Sequence, residues 1–139
     1  MPKPAEPARP VVKDLKPSPA LSIIGDPPEA FKGRKLGVLV SDGVDAELFG
    51  ALKNAINQEG AVLKVVAPMV GGVEASDGSW IEADEKIDGG PSVVFDAVAL
   101  LLSAEGAALL ADEVTARDFV ADGFAHCKFI AHNAGEGRR

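Results

Sequence analysis

The sequence predicts one α/β domain, in which a doubly wound, mostly parallel sheet carries helices on both faces. Short apolar runs alternate with stretches of helical periodicity from residue 35 onward, and continuous apolar runs are typical of parallel strands buried on both sides. Eight of the ten prolines fall within the first 28 residues, where they exclude regular helix and central strand. The length of 139 residues suits a single hydrophobic core.

The predicted domain boundary separates a proline-rich linker, residues 1–32, from a globular part, residues 33–139. The charge changes sign near this boundary, because residues 1–34 carry a net charge of +2 and the rest of the chain carries −9. Within the linker, residues 19–24 are apolar enough to dock on a folded surface, whereas the first dozen residues are expected to be mobile.

The first strand and helix are predicted from a continuous apolar run at residues 36–40 followed by turn residues 41–43. Asp45 is placed to cap a helix with one apolar face, and Gly60 supplies its stop. Residues 61–66 form the next strand, so strand, helix and strand make a right-handed unit by default.

The remaining elements follow from shorter signals of the same kind. Pro68 and the Gly71-Gly72 pair close the second strand, and Pro91 begins one helical turn. The predicted elements beyond Gly72 are a short strand at 80–82, a turn at 87–91, a helical turn at 92–95, strands at 97–102 and 127–131, and helices at 104–111 and 115–125.

Composition excludes several classes of function. The net charge of −7 repels nucleic acid phosphates and anionic lipid surfaces, so we expect neither nucleic acid nor a membrane as a partner. The longest apolar run, at residues 97–102, is six residues long, whereas a membrane span needs about 20. Prolines and mixed charges occupy residues 1–10 in place of a secretory signal, so we expect a cytoplasmic protein.

Candidate catalytic and metal-binding residues are few. Cys127, the only cysteine, follows a predicted helix whose dipole disfavours a thiolate at that end, so we expect a structural thiol. His126 and His132 are the only histidines and have no third ligand close in sequence, which favours surface or turn positions over a metal pair. We therefore expect no catalytic, cofactor-binding or metal-binding residue in this chain.

Two acidic stretches have simple structural interpretations. In the loop at residues 41–47, Asp42, Asp45 and Glu47 stand where a flavin phosphate would need bare amides and hydroxyls, so a capped helix start is expected in place of flavin or nucleotide binding. The acidic series at residues 82, 84, 85 and 88 lacks the ligand spacing of a calcium loop. It is expected to be a solvated acidic loop.

Four stretches, in this order, closely resemble the C-terminal domain of large-subunit haem catalases. They are PSPALSI at 17–23, KGRKLGVLVSDGVD at 32–45, IDGGPSVVFDA at 87–97, and DFV with AHCKFI within 118–130. That domain belongs to the flavodoxin-like superfamily of class I glutamine amidotransferases and the protease PfpI. The resemblance therefore implies a flavodoxin-like form of the predicted fold.

The resemblance implies an accessory, non-catalytic domain of a parent enzyme that detoxifies hydrogen peroxide and so serves the response to oxidative stress. Haem in that family is held by a tyrosinate, with a distal His and Asn, in a β-barrel region that this chain lacks. The chain has no tyrosine, so haem is implied for the parent catalase and no cofactor for this chain. The implied partners are the haem-bearing region and the other subunits of a tetramer.

Two alternatives remain open at this point: a stand-alone PfpI-like amidase, peptidase or deglycase that uses Cys127 or an activated water, and a holdase-like chaperone. By the PfpI-type resemblance, the nucleophilic cysteine falls at about Ala134, and a first-helix glutamate falls at Leu48 or Glu47. A methyl group cannot attack a carbonyl, so the site is expected to be emptied. The family continues beyond Gly135 with a helix and a strand, so an uncovered edge strand is expected here, and a fragment, an altered reading frame and a degenerate gene product are all consistent with it.

Overall fold

The structure, a computed structural model, describes residues 5–22 and 30–133. The strands are β1 (Lys35–Val40), β2 (Val62–Ala67), β3 (Gly72–Glu74), β4 (Trp80–Glu82), β5 (Glu85–Lys86), β6 (Ala97–Leu101) and β7 (Phe129–His132). The helices are α1 (Ala46–Gln58), α2 (Ala104–Asp112) and α3 (Val114–Ala125), with short 3₁₀ turns at Pro19–Leu21 and Ser92–Val94.

The main sheet has the strand order β5-β2-β1-β6-β7, and every neighbouring pair is parallel. β1 lies at its centre, and its last five residues are buried because helices or the hairpin cover both sides of the strand. Such a strand reads as a continuous apolar run. The predicted doubly wound α/β fold is confirmed.

Helix α1 begins and ends where the sequence predicts. The Asp45 carboxylate accepts a hydrogen bond from the Leu48 amide at 2.9 Å, which satisfies one of the amides that a helix start leaves without an intrahelical partner. Gly60 follows the helix with φ at +67°, a left-handed conformation that a residue without Cβ adopts at little cost. Phe49 is the buried residue of α1 and lies on the side of the helix that packs against the sheet.

The sheet carries two apolar clusters, one on each face. The first face joins the sheet to α1 and to the hairpin of β3 and β4, with these buried members among others: Val38, Val40, Phe49, Val65, Ala67, Val73 and Ile81. The second face joins the sheet to α2 and α3, with these buried members among others: Leu39, Val66, Phe95, Val98, Leu110, Ala116 and Phe119.

The hairpin of β3 and β4 is a separate two-stranded antiparallel sheet. The sequence predicts β4 correctly, but it predicts only a turn at Gly71-Gly72, where β3 begins. Gly72 has φ at +129°, and a Cβ at this position would lie 2.0 Å from the carbonyl oxygen of Ile81. Glycine is therefore needed for the close approach of the two strands.

Trp80, the only tryptophan of the chain, lies on the outside of this hairpin. Its side chain is 63% exposed, and its indole N–H donates a hydrogen bond to the Gly71 carbonyl oxygen at 3.1 Å. The ring therefore belongs to the hairpin surface and not to either apolar cluster.

The last strand differs from its prediction. It was expected at 127–131, whereas β7 spans Phe129–His132. Cys127 and Lys128 instead complete the end of α3, because Cys127 N–H donates to the Phe124 carbonyl at 3.0 Å and Lys128 N–H to the Gly123 carbonyl at 2.9 Å. These two bonds form a Schellman motif, and Cys127 takes its left-handed position with φ at +54°.

The linker segment is exposed where it is described. Leu21 is 83% exposed, so residues 19–22 are not buried against a folded surface, contrary to the docking expected for 19–24. The other two residues of that stretch, 23 and 24, lie outside the described residues. Within the described ranges, no helix combines the length and apolar character needed to cross a membrane.

Candidate functional site

The candidate site lies at the carboxyl edge of the sheet, beyond the ends of β1, β6 and β7. In a doubly wound sheet, ligands bind in the crevice beside the strand where the chain connections reverse direction. Here β1 has β2 on one side and β6 on the other. The residues that follow these strands, Ser41, Asp42, Ser103 and Asn133, form what we call the carboxyl-edge site.

Ser41 and Ser103 join the ends of β1 and β6. The Ser103 amide donates to Ser41 Oγ at 3.0 Å, and the two hydroxyl oxygens lie 3.3 Å apart. Ser103 Oγ donates to the Asp42 carbonyl oxygen at 2.6 Å. Both hydroxyls therefore act as links between backbone segments of neighbouring strands.

Helix α2 begins directly above this pair. Ser103 caps it, because Ser103 Oγ accepts the Gly106 amide at 3.0 Å. A Cβ at Gly106 would lie 2.0 Å from Ser41 Oγ, so the helix sits against Ser41, which is itself buried. The Gly106 amide, one of those that could bind a ligand phosphate at a helix start, is therefore already bonded to Ser103.

Asn133 joins β7 to the end of β6. Its carboxamide accepts a hydrogen bond from the Leu102 amide at 3.1 Å and donates one to the Leu102 carbonyl at 2.8 Å. The backbone amide of Asn133 donates to the Leu100 carbonyl at 3.1 Å. A carboxamide is the side chain that offers a donor and an acceptor side by side, and sequence reasoning missed this role.

In this arrangement the side chains of Ser41, Ser103 and Asn133 form structural hydrogen bonds. The site lacks the pairing of a nucleophile with an adjacent base that nucleophilic catalysis requires. A serine nucleophile is activated by an adjacent base. Among residues 30–133, the hydrogen bonds of Ser41 and Ser103 run to each other, to backbone groups and to no histidine or carboxylate side chain.

The cysteine and the two histidines that the sequence singled out do not meet at this edge. Cys127 is exposed and lies before the amino end of β7, while His126 ends α3. His132 is exposed at the end of β7, with its Nδ1 3.1 Å from the Asn133 carbonyl oxygen. Within residues 5–22 and 30–133, no group of three or more His, Cys, Asp or Glu side chains could hold a metal ion. Ala134, the expected position of the lost nucleophile, lies outside the described residues.

The loop after β1 is a capped helix start, as predicted. Asp42 accepts the Glu74 amide at 2.9 Å and so ties the loop to β3. Asp45 caps α1. Glu47 is exposed in the first turn of that helix, and Leu48, the other position carried over from PfpI-type proteins, is partly exposed beside it.

The acidic series at 82, 84, 85 and 88 is exposed, as expected, but it does not form one loop. Glu82 belongs to β4 and Glu85 to β5. Asp84 accepts the Val65 amide at 2.8 Å and the Lys64 ammonium at 2.7 Å, so it fastens the start of β5 to β2. β5 is only two residues long, so its sequence has no alternating pattern from which a strand could be predicted.

The electrostatics of Asp84 follow from these contacts. Burial raises its pKa, but the hydrogen bonds from Lys64 and from the Val65 amide, together with the Lys64 charge, outweigh burial and hold the pKa of Asp84 below its ordinary value of 3.8. The same hydrogen bond and the Asp84 charge raise the pKa of Lys64. The pair is a structural clasp at the β2 and β5 edge.

A second concavity opens on the second face between the sheet and its two helices. This apolar groove has a volume of about 530 Å³, and Arg117 is the one charged side chain in its lining. Its lining residues are Leu39, Leu100, Leu102, Ala107, Leu110, Ala111, Ala116, Arg117, Val120, Ala121, Phe124 and Ile130.

Comparison with known proteins agrees with the resemblance read from the sequence. Residues 32–139 match the family described as the C-terminal domain found in long catalases. The chain is 56% identical over 132 residues to "Catalase C" of Rhizobium meliloti, covering 95% of this chain and 19% of that protein. It is 33% identical over 127 residues to "Catalase HPII" of Pseudomonas aeruginosa, covering 91% and 18%. The chain thus spans about a fifth of the length of these relatives.

Solved structures show the same fold at low sequence identity. A ThiJ/PfpI domain protein from Brachyspira murdochii aligns with a TM-score of 0.65 at 20% identity, covering 73% of this chain and 58% of that one. A DJ-1 superfamily protein from Salmonella typhimurium aligns with a TM-score of 0.65 at 23% identity, covering 71% and 54%. These neighbours confirm the flavodoxin-like form of the fold.

Proposed function

We propose, because this chain belongs to the family of C-terminal domains found in long catalases, that it serves as a non-catalytic accessory domain of such an enzyme. In this role it packs on the haem-bearing region, supports the subunit assembly and stabilises an enzyme that decomposes hydrogen peroxide. Its contribution to the response to oxidative stress is then indirect, through the lifetime of the parent catalase.

The observation that carries this proposal is the state of the carboxyl-edge site. In related folds, ligands bind at this edge. Here the side chains of Ser41, Ser103 and Asn133 instead form hydrogen bonds that link the ends of β1, β6 and β7. Removing such links to free a hydroxyl for chemistry would leave buried polar groups unsatisfied. The edge is therefore suited to rigidity and not to turnover.

The described residues also do not fit haem as a cofactor of this chain. The apolar groove is the concavity with the chemistry to take a porphyrin face, but its lining offers no His, Cys, Met or Tyr to ligate iron. Tyrosine is absent from the whole sequence. Haem thus belongs to the proposed parent enzyme and not to this chain.

The alternative of a stand-alone PfpI-like hydrolase has little support. Cys127 lies before the amino end of β7, whereas the carboxyl-edge site lies beyond its other end. A thiol at the C-terminal end of α3 also faces the negative end of the helix dipole.

The decisive experiment grafts residues 32–139 of this chain onto the Rhizobium catalase C in place of its own matching part. The graft is compared with a version of that catalase that ends before the matching part. We expect similar initial rates of peroxide decomposition per haem, but a several-fold longer half-life on heating for the grafted enzyme, because a rigid domain slows unfolding.

A control graft carries Phe119→Ala, which weakens the core of the grafted domain without touching its surface. It should lose most of the gain in half-life. Equal half-lives for the graft and the shortened enzyme would contradict the accessory role. Peroxide decomposition by the 139-residue chain alone after incubation with haem would contradict the non-catalytic part of the proposal.

A further inference from the structure

The strand β4 pairs with β3 on one side, and its hydrogen-bond register fixes which backbone groups lie on the other side. The Ala75 amide donates to the Ser79 carbonyl at 2.8 Å, so the backbone groups of Ser79 face β3. Backbone groups of successive strand residues point to opposite sides. The N–H and C=O groups of Trp80 and Glu82 therefore point away from β3. Among the described residues, these groups have no hydrogen-bond partner.

A concavity of about 530 Å³ opens on this free side of β4. We call it the hairpin concavity. It is lined by β4 and the residues that follow it, by α1 and by β2, and by no residue of β3. Phe49, Leu63 and Val65 form its apolar wall. A strand added to the free side of β4 would turn alternate side chains toward this wall.

The outer face of the hairpin presents an aromatic ring between two carboxylates. Trp80 stands opposite Glu74 in β3 and two residues before Glu82 in β4, so these three side chains share one face. All three are exposed, whereas Val73 and Ile81, on the other face, are buried. An indole flanked by carboxylates attracts a guanidinium group, which stacks on the ring and pairs with the carboxylates.

The surrounding sequence is acidic and partly apolar. Residues 65–85 contain five Asp and Glu side chains and no Lys or Arg. Met69 and Val70 are exposed and line one concavity together with Trp80. Lys53, the cation of the hairpin concavity, lies near Asp84 and lowers the pKa of that carboxyl. This surface favours a partner that is both cationic and apolar, and it disfavours a second copy of this chain, whose net charge is −7.

We propose that β4 docks an extended segment of a partner protein in which arginine alternates with aliphatic residues. The segment pairs antiparallel with β4, and arginines opposite Trp80 and Glu82 each exchange a pair of backbone hydrogen bonds with them. Their guanidinium groups lie on the outer face, against the indole and the carboxylates of Glu74 and Glu82. The aliphatic side chains turn toward Phe49 in the hairpin concavity. Because β4 is short and carries charge, it does not pair with uncharged strands.

The first test titrates the full chain with the synthetic peptide acetyl-TRVRVT-amide, up to about 5 mM. Trp80 is the only tryptophan of the chain and the peptide has no aromatic residue, so fluorescence reports the docking strand directly. We expect a saturable shift of the emission to shorter wavelength as the ring is covered. The same peptide with citrulline in place of arginine keeps the shape without the charge and should bind at least about tenfold more weakly.

The second test fixes the register with two N-methylated forms of the peptide. In the proposed pairing, the arginine amides donate to β4 and the valine amides point away from it. Methylation of the two arginine amides should abolish binding, because it removes the donors. Methylation of the two valine amides should leave the dissociation constant within about twofold of its original value.

The third test changes the carboxylates of the chain. Glu82→Gln should raise the dissociation constant for the arginine peptide about threefold, because one exposed charge pair is lost. Glu113→Gln makes the same change at an exposed position where α3 begins and should leave the constant unchanged. Far-UV circular dichroism of both variants checks that the fold is retained.

The proposal is overturned by equal affinities for the arginine and citrulline peptides, or by equal effects of the two methylation patterns. It is also overturned if the peptide does not bind. If another segment of this chain covers β4, the emission of the free chain is already at short wavelength and does not respond to peptide, and if a second copy covers it, that emission shifts with chain concentration. Either result contradicts the proposal, which does not rest on the proposed role in catalase.

Discussion

The two faces of the main sheet carry concavities of the same volume, about 530 Å³ each, that differ in chemistry. On the first face, one helix and a hairpin bring large side chains to the sheet, with Phe49 buried and Leu52 and Ile56 packed beside it. On the second face, two helices present alanines, including Ala107 and Ala121, and leave the apolar groove of about 530 Å³. The faces therefore differ in the side chains that line their concavities, and not in the volume left open.

The concavity on the first face differs in chemistry from the groove. It is lined in part by Lys53, Glu82 and Asp84, so water can satisfy its walls. The groove has an almost entirely apolar lining and loses contact energy wherever it stays unfilled. The difference between the faces predicts opposite responses to substitution.

The largest effect separates the packed and the open parts of the second face. Phe119 is buried to 2% exposure and contacts the ring of Phe95, so Phe119→Ala should lower the free energy of unfolding by about 3–5 kcal/mol. Phe124→Ala, at the exposed rim, should change it by less than about 0.5 kcal/mol. Urea unfolding followed by far-UV circular dichroism measures both, and similar values would mean that the second face has no packed core.

The next prediction compares the two faces through one alanine-to-leucine substitution on each. Ala67 is fully buried on the first face, so Ala67→Leu should destabilise the fold by about 1–3 kcal/mol through overpacking. Ala121→Leu adds its carbons to the groove and should stabilise the fold by about 0.5–1 kcal/mol. The same unfolding measurement applies, and a destabilising Ala121→Leu would show that the groove is closed in solution.

The helix ends of the two faces offer a third comparison. α1 is followed by Gly60, whereas α3 is followed by Cys127 in the same left-handed conformation. Cys127→Gly should therefore stabilise the fold by about 0.5–1 kcal/mol, and Gly60→Ala should cost about 1 kcal/mol. Cys127→Ala keeps the Cβ and serves as control; a gain as large as that of glycine would assign the effect to the thiol.

The smallest effect concerns the Asp84–Lys64 clasp that joins β5 to β2. Because the folded-state pKa of Asp84 lies below its ordinary value of 3.8, its contribution is complete above the unfolded-state pKa and is lost as the pH falls through the folded-state value. Both partners are about one-third or more exposed, so solvent screening limits the contribution to less than about 1 kcal/mol. Asp84→Asn should lower stability at pH 7 and flatten its decline in acid, measured by urea unfolding between about pH 2 and 7. An unchanged acid limb would contradict the clasp.

The sequence predicts the long, strongly patterned elements well. β1 is buried on both sides, so its sequence is a continuous apolar run. α1 has an N-cap at Asp45 and ends before Gly60. These signals are local, because each depends on residues within a few positions of one another. The strand at Ala97–Leu101 follows the same logic.

The parts that were missed depend on contacts between distant residues. β3 and β5 span three and two residues, so their pairing with β4 and β2 and not their own pattern defines them. Cys127 carries no glycine signal for the left-handed end of α3, which misplaced the start of β7. Asn133 becomes meaningful only when the fold brings it beside Leu102.

The outward position of Trp80 has a practical consequence for any study of this protein in solution. With no tyrosine in the chain, this indole supplies almost all of the absorbance near 280 nm and nearly all of the intrinsic fluorescence. Because the ring is largely solvated on the hairpin, its emission reports the local state of β3 and β4 and shifts little when the sheet itself melts. A flat fluorescence trace on heating would therefore be compatible with complete loss of the fold.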